Sequence, residues 1–179
     1  MMEGVSEDPL QQIQRSRRYL YAFVEAHVRY EVEGARRGPV KWNKPHAGSF
    51  KMNFDAAIHE DSNGVGAGVV VRDSAGSYLR WTSKFFPGIK AAEQAEALAA
   101  RAAAFLARDL QLTNVIIEGD CLSVINKLKD SAMDDSYISP IIQEIRKVLS
   151  GLDKLEFNHV KREGNMAAHF LARNSISQN

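Results

Sequence analysis

An alanine-rich stretch at residues 91–110 constrains this chain most, because it separates two different kinds of β-sequence. Alanine has the highest helix propensity, so the stretch is read as a helix. Ahead of it, residues 66–72 and 77–84 are strand-like runs around the turn Asp73-Ser74-Ala75-Gly76, the pattern of a hairpin. Behind it, Val115-Ile116-Ile117-Glu118-Gly119 is a β-branched strand. Hairpins pair antiparallel, whereas a helical crossover joins parallel strands. The chain is therefore expected to be α/β, with a mixed sheet and helices packed on it.

The remaining elements fit that plan. Phe50, Met52 and Phe54 alternate with Lys51, Asn53 and Asp55, the period of a strand. With the phenylalanines facing the core, Asp55 should emerge on the other face at the strand's end. A short helix is expected at 121–129, a loop at 130–136 and an amphipathic helix at 137–149. A last strand at 155–160 and a last helix at 165–174 complete the order βββαβααβα. Upstream, Leu10, Ile13, Leu20, Val24, Val28 and Val32 give residues 9–33 a helical stripe. Its arginines suit either a solvated face or a phosphate-contacting arm. Residues 38–48, with two prolines and two glycines, read as a linker. The expected organisation is an extension over 1–48, a main domain over 49–176 and a tail over 177–179.

Composition excludes several classes. The single cysteine, Cys121, permits no intrachain disulfide and suits a reducing compartment. No apolar run approaches the roughly 20 residues that span a bilayer. The acidic N-terminus lacks the apolar core of a signal peptide. The expectation is a soluble, intracellular monomer with no membrane partner, in nucleus or cytoplasm. A net charge of +1 gives no global attraction to nucleic acid, so any such interaction must be local.

Three acids occupy informative places. Asp120 ends the β-branched strand, where open α/β sheets commonly place their chemistry, although Asp before a helix is also a common N-cap. Asp55 ends the first strand. Glu96 lies in the alanine-rich helix, whose small neighbours Ala92, Ala99 and Ala100 let it approach the sheet. A carboxylate against apolar surface is costly unless neutralised, and a shared divalent cation would neutralise all three. Hard oxygen donors suit Mg²⁺ or Mn²⁺, and two such ions support phosphodiester cleavage.

The stretches Lys51-Met52-Asn53-Phe54-Asp55-Ala56-Ala57, Ala95-Glu96-Ala97-Leu98, Ile117-Glu118-Gly119-Asp120-Cys121 and His159-Val160-Lys161-Arg162-Glu163-Gly164-Asn165 resemble ribonuclease H. They are most similar to the plant ribonuclease H-like domains found at the ends of retroelement reverse transcriptases. The resemblance covers about residues 42–175. It implies a ribonuclease H-like fold: a five-stranded mixed sheet flanked by helices, here with an N-terminal helical extension. It also implies metal-dependent, endonucleolytic hydrolysis of the RNA strand of an RNA/DNA hybrid, with two Mg²⁺ or Mn²⁺ ions. Asp55, Glu96 and Asp120 match the family's first three catalytic carboxylates and are the implied metal ligands. Ala56, Cys121, Arg162 and Asn165, within the matched stretches, are the implied substrate contacts.

The chain departs from the family at its fourth catalytic position, where His169 stands in place of an aspartate. Imidazole suits softer metals than Mg²⁺ and moves protons near neutral pH, but the change is equally compatible with a weakened site. The segment between Val160 and Asn165 is short, with Arg162 and Glu163 where many bacterial members carry a longer loop with a histidine. The competing function is a weakly active or non-catalytic module that binds nucleic acid or protein.

Overall fold

The computed structural model describes residues 42–130 and 135–175. The expected helix at 9–33, residues 131–134 of the expected loop and residues 176–179 lie outside them.

Five strands form one sheet in the order β3-β2-β1-β4-β5: β1 Phe50–His59, β2 Gly64–Arg72, β3 Tyr78–Pro87, β4 Asn114–Gly119 and β5 Lys154–His159. β2 pairs antiparallel with β1 and β3, while β4 pairs parallel with β1 and β5. The helices are α1 Ala92–Asp109, α2 Leu122–Lys129, α3 Ser139–Leu149 and α4 Met166–Arg173. This is the mixed sheet that hairpin and crossover require. Among the described helices none is long and apolar enough to cross a membrane.

The first strand differs from expectation. It does not stop at Asp55 but runs four residues further to His59, leaving Asp55 in its middle. Ala56, Ala57, Ile58 and His59 pair with Ala67, Gly66, Val65 and Gly64, so the hairpin partner sustains a segment whose own pattern is weak. β2 is buried along its whole length, which marks it as an inner strand covered on both faces.

Each face has its own layer. Met52 and Phe54 of β1, Val69 and Val71 of β2, and Val115 and Ile117 of β4 point to one side. There they meet the alanines of α1, including Ala99, Ala100, Ala103 and Ala107. Ile142 and Ile145 of α3 close this core from outside. The opposite face carries Lys51, Asn53 and Asp55 and is covered by α4. A Cβ at Gly68, the partner of Asp55, would strike the Ala168 carbonyl and the Ala172 backbone, so glycine is what lets α4 lie this close.

A candidate carboxylate metal site

Two parallel strands set the spacing of two acids. β1 and β4 are in register through Asn53 and Glu118, and Asp55 and Asp120 follow two residues later on the same face. Glu96 comes from the first turns of α1. One oxygen from each of the three carboxylates lies within 4.8 Å of the others. Asp55 is 1% exposed, and Glu96 and Asp120 are largely buried. The Ala56 backbone N–H donates to Glu96, which ties helix to strand beside the cluster.

Such proximity penalises ionisation. Burial first, then the Glu96 and Asp120 charges, push Asp55 up to about 9, against a weaker lowering by Arg162. Burial and Asp120 push Glu96 up to about 8. Two buried oxygens, Asp55 Oδ1 and Glu96 Oε2, have no hydrogen-bond partner. Unpaired buried carboxylate oxygens are expensive, and a hard divalent cation meets both needs: it partners the oxygens and favours the ionised form. The donor set therefore fits Mg²⁺ or Mn²⁺.

The fourth position closes the cluster on the α4 side. His169 Nδ1 lies 2.7 Å from Asp55 Oδ2. Arg162, in a 3-10 turn ahead of α4, lies 3.6 Å from Asp120 Oδ2. Its Nη2 is 2.9 Å from both ring nitrogens of His169. That equidistance places one guanidinium N–H over the face of the imidazole ring. Burial, then Arg162 and Arg173, lower the His169 pKa and favour the neutral ring. α4 is fastened at both ends: Asn165 Nδ2 donates to the Phe54 carbonyl (2.8 Å), and Ser83 Oγ to that of Leu171 (2.9 Å).

The expected substrate contacts fall in different places. Ala56 and Arg162 border an open pocket beside the cluster. Cys121 is half-buried at the start of α2, with Sγ 3.4 Å from Ser123 Oγ. Asn165 is 1% exposed; its Nδ2 donates to the Phe54 carbonyl and ties α4 to β1, while its Oδ1 has no hydrogen-bond partner. His159 is exposed, with its Nε2 3.1 Å from the Asp120 carbonyl oxygen. Glu163 is exposed. Arg173 was not legible as a site residue from motifs, yet it lines the same pocket. Its spacing of four from His169 on one helix was the available signal.

The chain belongs to the reverse transcriptase-like family, which matches residues 53–175. No curated protein matches the sequence. Among solved structures it is similar to RNase H1 from the halophilic archaeon Halobacterium salinarum, at 23% identity and a TM-score of 0.66. That match covers 73% of this chain and 99% of the other. It is also similar to LC11-RNase H1, isolated from compost, in complex with an RNA/DNA hybrid: 18% identity, TM-score 0.57, covering 72% and 97%. A foamy viral protease-reverse transcriptase in complex with RNA/DNA hybrid matches at 16% identity and TM-score 0.58, covering 80% and 22%. The fold is thus the ribonuclease H fold.

Proposed function

We propose that this chain hydrolyses the RNA strand of RNA/DNA hybrids, cutting internally, with divalent cations held by Asp55, Glu96 and Asp120. The observation that carries this reading is the convergence of three carboxylates with two orphaned oxygens at the sheet centre. A purely structural site has no use for such charge. When bound, two Mg²⁺ or Mn²⁺ ions would supply an activated water and stabilise the attacking and leaving oxygens. Asp55, Glu96 and Asp120 are the residues that would hold the ions.

The chain's own residues prepare this chemistry. His169 Nδ1, 2.7 Å from Asp55 Oδ2, engages that oxygen and leaves Oδ1 free. The Ala56 N–H does the same for Glu96. Recognition of a hybrid would rest on phosphates and 2′-hydroxyls across a shallow minor groove.

One observation favours a non-catalytic binding module: Arg162 and His169 partner Asp120 and Asp55 from within the chain. A labelled RNA/DNA hybrid incubated in Mg²⁺ and in Mn²⁺ separates the two. Cleavage by the wild type, reduced on the order of 10²–10³-fold in Asp55→Asn and Asp120→Asn, is expected. Binding without cleavage in either metal would establish the module instead.

A further inference from the structure

The pocket beside the cluster has a volume of about 340 Å³ and is open to solvent. Alanines of β1 and α1 and Ile58 of β1 line much of it, and Glu96 lines its edge with the carboxylate cluster. Its rim carries Arg162, His169 and Arg173. His169 and Arg173 stand one helical turn apart on α4 and so share a face.

The two arginines differ in how they are held. Arg162 is drawn onto Asp120 and the His169 ring. Arg173 is exposed and has no ion pair among the described residues, whereas Arg101 and Arg108 are paired with Glu144 and Asp109. Arg80 is likewise exposed without an ion pair among the described residues, so what distinguishes Arg173 is its place on the pocket beside the carboxylates. The neighbouring carboxyl groups offer a polyanion no attraction, and a net charge of +1 supplies none in general. Positive charge must therefore be local, and guanidinium groups match phosphate oxygens bidentately.

We propose that Arg173, with Arg162, makes this pocket a seat for a backbone phosphate of the nucleic acid, adjoining the phosphate at the carboxylates. Arg162 joins the seat only when a cation replaces its guanidinium on Asp120. Cation and nucleic acid then favour one another's binding, as reciprocal linkage requires. This assignment rests on the nuclease reading for its substrate class.

The test is equilibrium binding of a labelled RNA/DNA hybrid to the full chain, by fluorescence anisotropy across a salt series, in EDTA and in Ca²⁺. Arg173→Ala is expected to weaken binding roughly tenfold in both conditions. It should also lower the slope of log K against log salt by about one. Arg162→Ala should weaken binding in Ca²⁺ severalfold more than in EDTA. Asp120→Asn should tighten binding in EDTA, and Asp120→Asn with Arg162→Ala should lose that gain. Arg108→Ala, at the far end of α1, is the control for loss of a remote charge. If Arg173→Ala behaves like Arg108→Ala, the seat is wrong while the nuclease reading stands. If Arg162→Ala loses as much in EDTA as in Ca²⁺, the release of Arg162 is wrong. If the wild type binds no hybrid in Ca²⁺ at low salt, seat and nuclease reading fall together.

Discussion

Two buried polar clusters sit on successive rungs of the same strands, and they have opposite characters. On the lower rung Lys51 Nζ pairs with Glu118 Oε1 at 2.7 Å, and Asn53 Nδ2 donates to Glu118 Oε2 at 3.2 Å. Trp42 Nε1 donates to Asn53 Oδ1 at 2.9 Å, while Arg72 stacks between the Trp42 and Tyr78 rings, 4.3 and 4.5 Å from their centroids. There the one carboxylate is paired, the second cation lies against aromatic rings, and donors meet acceptors. Two residues further along each strand stand Asp55 and Asp120, with Glu96 above them and two oxygens unmatched. Burial is similar in both clusters, but only one is satisfied by the chain itself. The difference separates a structural polar core from a site that awaits a ligand.

Removing one ionisable group should break that comparison with opposite signs. Lys51→Ala leaves Glu118 buried and unpaired, at a cost of about 3–5 kcal/mol in urea unfolding. Asp55→Asn removes a buried carboxyl that folding must protonate, so at neutral pH without added metal it should stabilise the protein by roughly 1–3 kcal/mol. A destabilised Asp55→Asn would mean that the upper cluster is as structural as the lower.

The pH dependence sharpens the same contrast. Asp55 and Glu96 titrate near about 9 and about 8 when folded, against 3.8 and 4.5 as ordinary values. Raised carboxyl values mean that the folded state holds protons the unfolded state has released. Their stabilisation is complete below the ordinary values and is lost as pH rises through about 8 and about 9. Thermal melts in EDTA should show Tm falling across that range. Mg²⁺ should restore it, with a gain that grows with pH as protons stop competing for the oxygens. In Asp55→Asn with Glu96→Gln the profile should flatten and the Mg²⁺ gain should shrink. A wild-type Tm that ignores both pH and Mg²⁺ would count against the metal site.

The smallest effect is expected at Trp42. Trp42→Ala removes a hydrogen bond to Asn53 and a ring from Arg72, which should lower stability by about 1–2 kcal/mol. Cleavage at a temperature well below the melt should persist, because Trp42 touches the lower cluster alone. A loss of cleavage without a loss of stability would show that the two rungs are coupled.

Much of this was legible beforehand because it is local. Alternation gave β1 its two faces, alanine gave α1 its close approach, and the β-branched run gave β4 its end at Asp120. The length of β1 was not legible, since Ala56-Ala57 has little strand character until Gly66 and Ala67 pair with it. Nor was the burial of Asn165, a polar residue in a motif that serves packing. Lys51 and Glu118 read as ordinary strand residues, and nothing in their spacing announced a buried pair.

The sequence by itself determined the order of elements, the mixed sheet and the identity of the three acids, because strand and helix periods are properties of neighbouring residues. Only the tertiary structure decided which charges meet. A slip of one residue between β1 and β4 would send Asp55 and Asp120 to opposite faces. The glycines of β2 decide how near α4 lies, and so whether His169 reaches Asp55. Contacts between residues more than a hundred positions apart depend on register and packing, which no local pattern records.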